Sequence, residues 1–196
     1  ALRNRVMRVV APLGVGAHLE RWGYDASRIT ELDWNQNVTI NEDLSLTAVS
    51  ARHFSGRGLK RGGSLWSAYI LNINALRIFL GGDSGYGPHF KTIGQQYGPF
   101  SLAMLECGQY GRDWPNIHMF PNEVVQAARD LHTKAVLPVH WAKFALGFHP
   151  WREPIRQLTA TITPADSFTL TTPRIGQPVI LGRALPQERW WEGINE

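Results

Sequence analysis

The alternation of apolar and polar positions divides the chain into a first part made of short strands and a second part in which strands alternate with helices. Apolar residues that are continuous or occupy every second position are typical of β-strands. Such runs predict strands over residues 6–10, 28–32, 37–40, 44–49, 65–73, 76–80, 102–105, 135–139, 168–170 and 179–181. The 65–73 and 76–80 runs face each other as a hairpin. This order of elements predicts a mixed α/β fold.

Apolar residues spaced three or four positions apart predict helices in the stretches between these strands. The clearest helix covers residues 121–132, because Pro121 stands at the first position, where its missing N–H is tolerated. Its apolar stripe is formed by Val124, Val125, Ala128 and Leu131. Shorter helices are predicted after residue 14, ending before Gly23, and over residues 90–97 and 154–162.

Composition indicates one globular domain. The chain has 196 residues, of which 43% are hydrophobic, which is enough to form a core. No apolar run reaches the roughly 18 residues that a transmembrane helix needs, so no transmembrane segment is expected. The single cysteine, Cys107, excludes an internal disulfide framework and a cysteine-based zinc knuckle. It favours a reducing compartment, so a cytoplasmic location is expected.

The net charge of +4 gives little reason to expect a nucleic-acid partner. Nucleic-acid binders usually gather their cations into a stripe, whereas the cations of this chain are scattered. Two local concentrations stand out: Arg3, Arg5 and Arg8, and then Arg52, Arg57, Lys60 and Arg61. The second group fits either a solvated loop or a surface that faces anionic substrate groups, because the guanidinium fork suits phosphate.

Three predicted strands end at a side chain that is able to bind a metal ion. His53 follows the 44–49 strand, Asp83 follows the 76–80 strand, and His140 directly follows the 135–139 strand. Imidazole and carboxylate together suit zinc or another divalent metal. Taken singly, a histidine after a strand is usually a surface residue and an aspartate after two glycines is most often a turn residue. All three stand at equivalent places, where α/β proteins position their sites.

The sequence around these residues resembles a known family. The stretches concerned are 50–58 (SARHFSGRG), 79–86 (FLGGDSGY) and 136–144 (VLPVHWAKF), supported by 12–16 (PLGVG), 97–102 (YGPFSL) and 118–124 (HMFPNEV). They resemble the later motifs of metallo-β-lactamase-fold hydrolases. Within that fold they are similar to N-acyl-phosphatidylethanolamine-hydrolysing phospholipase D and its RomA-like bacterial relatives. The resemblance implies an αββα sandwich and a zinc-dependent hydrolase of phospholipase D-like or phosphodiesterase type, acting on a small-molecule or lipid phosphodiester.

The resemblance also implies roles for individual residues. His53 would bind one zinc ion, Asp83 would bridge two, and His140 would bind the other. Asp83 and His118 are the candidate catalytic residues, with His118 donating a hydrogen bond to the substrate phosphate. The alternative for His118 is that it caps the helix that begins at Pro121. Asp113 and Trp114 are expected to shape the pocket.

One family motif is missing. A His-x-His-x-Asp-His sequence supplies further zinc ligands in the family, and no two of the seven histidines here are separated by a single residue. We therefore expect residues 1–196 to be a single metallo-β-lactamase-like domain that lacks its N-terminal part. Such a chain would bind zinc weakly or not at all and would be inactive alone. Its uncovered sheet face would favour self-association.

Two alternatives remain open from the sequence. The alternative to the hydrolase is a non-catalytic remnant or a regulatory interaction protein that retains part of the fold. Trp190 and Trp191 fit either packing over the sheet, which we favour, or peripheral contact with a membrane interface.

Overall fold

The computed structural model describes residues 4–56, 61–144 and 146–194. Its strands are β1 (Val9–Pro12), β2 (Ile29–Leu32), β3 (Asn37–Asn41), β4 (Leu44–Val49), β5 (Ala68–Ile73), β6 (Leu76–Leu80), β7 (Leu102–Glu106), β8 (Ala135–Val139) and β9 (Thr169–Leu170). Its α-helices are α1 (Gly16–Arg21), α2 (His89–Tyr97), α3 (Pro121–Asp130) and α4 (Glu153–Thr161). The mixed α/β class predicted from the sequence is confirmed.

The strands of the main sheet lie side by side in chain order from β3 to β9, while β1 and β2 form a separate parallel pair. Strands β3 to β6 are antiparallel to their neighbours, and β6, β7, β8 and β9 are parallel. Strands β4, β6, β7 and β8 therefore run in the same direction. Their carboxyl ends share one edge of the sheet, which we call the ligand edge, and residues that follow these four strands are brought together there.

The helices α2, α3 and α4 cover one face of the main sheet. Phe79 of β6 and Leu105 of β7 are fully buried against Phe90 of α2, Val124 of α3 and Ile155 of α4. Burying each such side chain contributes about 1.5–3 kcal/mol, so this layer anchors the strands rigidly. The stripe predicted for α3 is the buried face of that helix, which ends two residues earlier than predicted.

The other face of the main sheet is apolar but only half-buried. Register pairs Leu46 with Leu71, Leu71 with Ile78, and Met104 with Leu137. All five side chains are half-buried, whereas their neighbours on the helix-covered face are inaccessible. We call this surface the open face.

Two predictions about the last segment have different outcomes. The strand predicted over residues 179–181 is wrong: the segment is irregular. Pro178 lacks a donor for a ladder, and Gly176 and Gly182 turn the chain at φ +87° and +88°. The packing prediction for Trp191 is confirmed, since it is 1% exposed and contacts Trp141 at 5.6 Å between ring centroids.

The strand predicted over residues 6–10 lies slightly later, at β1.

Candidate metal centre

Four polar side chains from separate parts of the sequence converge at the ligand edge. The His140 Nε2 atom lies 3.7 Å from Asp83 Oδ1. The His118 ring lies 5.4 Å from the His140 ring and 5.5 Å from the His53 ring, measured between centroids. The structure thus brings His53, Asp83 and His140, predicted from their strand ends, to one place together with His118.

Backbone contacts hold the His53 segment against the Asp83 segment. Arg52, which precedes His53, donates its backbone N–H to Ser84 Oγ at 2.9 Å and accepts from the backbone N–H of Gly85 at 2.9 Å. The Arg52 guanidinium also donates to the carbonyl of Tyr86 at 2.8 Å. These three contacts fix the spacing between the two ligand-bearing segments, so Arg52 is tied to structure here and is not a free anion-binding group. Arg57 and Lys60 of the same predicted cluster lie outside the described residues.

Glycines allow the segments of the site to approach closely. A Cβ on Gly85 would lie 2.1 Å from the carbonyl oxygen of Asn116, and one on Gly108 would lie 2.1 Å from the carbonyl oxygen of His140. Backbone atoms cannot yield by that much, so neither position accepts a side chain without movement of the loop. A Cβ on Gly81 would lie 2.8 Å from the carbonyl oxygen of Met104, so this glycine also allows a close backbone approach.

His140 adopts a backbone conformation that side chains rarely occupy. Its φ is +61°, in the left-handed region. This conformation costs about 1 kcal/mol or more for a residue with a side chain. The turn directly after β8 directs the imidazole toward Asp83, and the buried strands on either side maintain it.

His118 is held by a carboxylate that the sequence reading missed. Glu106, the last residue of β7, is fully buried and places Oε2 3.3 Å from His118 Nδ1. Its Oε1 accepts the backbone N–H of Met119 at 2.6 Å. Burial alone would lower the pKa of His118, but the Glu106 carboxylate, together with Asp83, raises it overall. The alternative role of His118 as a helix cap is wrong, because the Phe120 N–H at the start of α3 donates to Glu123 instead.

Two other titratable groups near the site are kept neutral. Burial, with the Arg52 charge nearby, lowers the pKa of His89 to about 4, and its Nε2 lies 3.3 Å from Ser84 Oγ. Burial, with Glu106 adjacent, raises the pKa of the Cys107 thiol. A buried neutral thiol is a poor nucleophile, so Cys107 serves as a core residue.

The donor set fits part of a metal site. Two ligands about 2.0–2.1 Å from one tetrahedral zinc ion lie roughly 3.3 Å apart, and the 3.7 Å between His140 and Asp83 is close to this spacing. Within the described ranges, no group of three or more His, Cys, Asp or Glu side chains is arranged to hold a metal ion. The imidazole and carboxylate donors therefore suit zinc in kind, but they do not form a complete coordination shell by themselves.

A cavity of about 620 Å³ opens beside His118. Its walls include Phe54, Trp114, Ile117 and Leu146, and Arg61 also lines it. Asp113 and Trp114 both line this cavity, which confirms that they shape the pocket. The Arg61 guanidinium lies 4.8 Å from the centre of the Phe54 ring, so the cavity combines apolar walls with a cation and with the carboxylate of Asp113.

The signal that identified the ligand candidates extends to Glu106. It is the polar residue that ends the apolar strand β7, as His53, Asp83 and His140 follow theirs. The contacts of Arg52 with Ser84 and Gly85 had no comparable signal, because they join the backbone of Arg52 to a hydroxyl and an N–H of a segment more than thirty residues away. None of the helices in the described parts of the chain has the length and hydropathy of a membrane-spanning segment.

Comparison with known proteins supports the family. A family model described as "Beta-lactamase superfamily domain" matches residues 1–141. Outer membrane protein RomA of Klebsiella pneumoniae is 52% identical over 103 residues, covering 53% of this chain and 78% of that protein. The mitochondrial N-acyl-phosphatidylethanolamine-hydrolyzing phospholipase D of Saccharomyces cerevisiae is 34% identical over 158 residues, covering 76% of this chain and 33% of that protein.

Longer relatives and solved structures agree with this. Uncharacterized protein Rv0906 of Mycobacterium tuberculosis is 43% identical over 185 residues, covering 93% of this chain and 49% of that protein. The chain therefore spans about half the length of such relatives. Igni18, a metallo hydrolase from the archaeon Ignicoccus hospitalis, has the same fold with a TM-score of 0.66 at 16% identity, covering 87% of this chain and 67% of the archaeal chain.

Proposed function

Because this chain belongs to the β-lactamase superfamily, we propose that it carries part of the active site of a zinc-dependent hydrolase of phospholipase D-like or phosphodiesterase type. The observation that carries the proposal is the convergence of separate strand ends on one group of side chains: His53, Asp83, His118 and His140. Ligand-type side chains from four distant segments meet at the edge where α/β folds place their sites.

The residues divide into metal ligands and a substrate-binding group. His53 and His140 would each hold one zinc ion through a neutral imidazole, and the Asp83 carboxylate would bridge the two. Bound zinc supplies a water of lowered pKa and polarises a phosphoryl oxygen. Ring contacts to both His53 and His140 support a position for His118 beside the reacting group. There it would donate a hydrogen bond to a phosphate oxygen.

We propose a lipid or other apolar phosphodiester as the substrate. The cavity beside His118 has apolar walls and is lined by the Arg61 guanidinium as well as the Asp113 carboxylate. The guanidinium suits an anionic group attached to an apolar one. Near it, Phe144, Leu146 and Phe148 are 68%, 66% and 89% exposed. Apolar side chains exposed together mark an interaction surface.

The same exposed side chains support peripheral contact of a cytoplasmic protein with a membrane surface. Lys143 lies beside the Phe144 ring, its Nζ atom 5.4 Å from the ring centre, which adds a cation to this surface. The relative RomA is named as an outer membrane protein, which also favours a membrane location. Sedimentation with anionic vesicles should be reduced several-fold by Phe148→Ser, while Trp22→Ser, which removes another exposed aromatic side chain distant in sequence, should leave it unchanged. Equal sedimentation of the two variants would contradict this contact.

We further propose that the remaining metal ligands come from a segment of a longer protein. The described residues hold only a partial donor set, and the chain spans 49% of its mycobacterial relative. The 196-residue chain alone would accordingly bind zinc weakly and would not turn over substrate. Calorimetry that gives a sub-micromolar zinc affinity for the chain alone would contradict this part of the proposal.

The open face supports a related proposal about association. A half-buried apolar sheet face needs a covering layer, which the longer protein would supply. In the isolated chain we expect this face to drive self-association. Sedimentation velocity should show concentration-dependent oligomers, reduced by Ile78→Ser; a monomer at every concentration would contradict the proposal.

The test of the hydrolase proposal joins to this chain the part of the mycobacterial relative that it does not span. The zinc-loaded product is assayed with a lipid phosphodiester, a lactone and a β-lactam. Phosphodiester hydrolysis is expected, reduced about 100-fold or more by Asp83→Asn, since loss of even an outer partner of a metal ligand costs about 10–100-fold. Asp43→Asn, an exposed residue of the β3–β4 turn, is the control and should retain full activity. Hydrolysis of the lactone alone would contradict the substrate class, and an active Asp83→Asn variant would contradict the site.

A further inference from the structure

The fully buried carboxylate of Glu106 requires a partner. It ends β7 between Leu105 and Cys107, both of which are also fully buried. A charge in such surroundings is stable only when it is paired and hydrogen-bonded. Its two oxygens face one loop, since Oε1 accepts the Met119 N–H at 2.6 Å and Oε2 lies 3.3 Å from His118 Nδ1.

We propose that Glu106 is a positioning residue that fixes the His118 ring, with the Nδ1 proton directed at the carboxylate and Nε2 turned toward the candidate metal centre. This inference rests on the proposed function of the site. Glu106 itself has no exposed surface and does not line the cavity, whereas His118 does. It therefore acts only through His118.

The geometry gives the pairing a defined direction. Glu106 Oε2 and His118 Nδ1 are buried 3.3 Å apart, and neither has another hydrogen-bond partner among the described residues. A carboxylate only accepts hydrogen bonds, so a hydrogen bond between these two atoms requires the proton on Nδ1. The other ring nitrogen, Nε2, is left for the substrate, and it donates to a phosphate oxygen when the ring carries a proton on both nitrogens. Such an acceptor behind an imidazole is the usual means of fixing a tautomer and a ring orientation. The Met119 N–H contact prevents the carboxylate from rotating away, since it holds Oε1 at the same time.

A purely structural role makes a different prediction. If Glu106 served only to accept the Met119 N–H, the amide oxygen of glutamine would replace it with no effect on the His118 ring. If Glu106 positions His118, glutamine changes the ring. With its oxygen on Met119, the amide of Glu106→Gln presents N–H groups to Nδ1, which must then accept, and the ring proton moves to Nε2.

The experiment reads the ring directly, in the metal-free 196-residue chain. Ring ¹⁵N and ¹H signals of His118 are assigned by comparison with His118→Gln. We expect the wild-type chain to show a protonated Nδ1, and Glu106→Gln to lose that signal or exchange it for a protonated Nε2. Glu123→Gln is the matched control, because Glu123 also accepts a backbone N–H of this loop, from Phe120 at 2.8 Å, without contacting His118. It should leave the His118 signals unchanged.

Two results would overturn the inference. One is a folded Glu106→Gln chain with wild-type His118 signals, and the other is a wild-type chain whose His118 Nδ1 carries no proton. The second decides the question even if Glu106→Gln does not fold. Because the chain is metal-free, failure of zinc to bind at His53 and His140 would count against the proposed function and leave the ring result intact.

Discussion

His132 and His140 flank the same strand, β8, one before it and one directly after it. Both adopt a left-handed backbone, with φ of +52° and +61°. His132 is exposed at one end of the sheet. His140 lies in ring contact with His118 and 3.7 Å from Asp83 at the other. The same residue type in the same backbone conformation therefore has different chemical surroundings.

The difference comes from which segments reach each end. The ligand edge receives the loops that follow four strands of the same direction. The opposite end receives the β5–β6 turn and the segments that enter β7 and β8. There the Arg77 guanidinium donates to the side chain of Asn72 and to the carbonyl of Tyr97. These two hydrogen bonds hold the local structure and form no site. Topology, more than local sequence, decides which end of this sheet becomes a site.

The largest effect is expected where the ligand edge has no spare space. Gly108→Ala places a Cβ against the carbonyl oxygen of His140, 2.1 Å away in the unrelaxed structure. We expect the free energy of unfolding to fall by about 3 kcal/mol or more, since backbone must move. Chemical denaturation measures this loss. Gly63→Ala, where a Cβ meets nothing within 4 Å, should change the free energy of unfolding by less than about 0.5 kcal/mol. Similar losses in both variants would mean that the loop after β7, which holds Gly108, does not contact the turn after β8, which holds His140.

A smaller effect is expected at the opposite end. Arg77→Ala removes the donors to Asn72 and Tyr97. The free energy of unfolding should fall by about 1–2 kcal/mol because these acceptors lose partners. The zinc response of His140 should not change. Lys134→Ala changes an exposed residue at the same end and is the control for stability. An altered zinc response of His140 in Arg77→Ala would contradict the claim that the two ends of the sheet act independently.

A third effect is a dependence of stability on pH at the ligand edge. The pKa of His89 is 6.5 in the unfolded chain and about 4 in the folded one, because burial disfavours the charged ring. The unfolded state therefore binds more protons in this window, and stability decreases as pH falls from about 6.5 to 4. His118, whose pKa is raised, acts in the opposite direction, since its contribution is lost as pH rises above 6.5.

The variant His89→Gln separates these contributions. Denaturation at pH 7.5 and pH 5 should show a smaller loss of stability on acidification than in the wild-type chain. Equal losses in both proteins would mean that His89 is not the buried neutral ring that its contacts with Ser84 indicate.

Patterns that are local in sequence predicted most of the fold. The stripe on α3 and the alternation in β4 follow from residues a few positions apart, and both elements lie where these patterns place them. The strand-end rule predicted that His53, Asp83 and His140 would meet. The strand predicted over residues 179–181 is wrong, because the prediction rested on the apolar run alone. A proline and two glycines next to this run interrupt the hydrogen bonding that a strand needs.

Contacts between distant segments could not be predicted from the sequence. Glu106 and His118 are paired through a loop that turns back on β7. Arg52 and Ser84 meet because β4 and β6 are parallel in space although they are separated by β5. No periodicity reports such contacts, since they depend on the order of strands in the sheet.

The central claim is that His53, Asp83 and His140 share one metal centre, and a zinc titration followed at each histidine ring tests it most directly. Ring signals of all seven histidines are recorded as zinc is added to the 196-residue chain, up to millimolar concentration. We predict that the His53 and His140 signals shift together, that Asp83→Asn weakens both shifts, and that the exposed His18 and His132 signals do not follow them. Shifts at His132 or His18 equal to those at His140, or independent titration of His53 and His140, would contradict the claim.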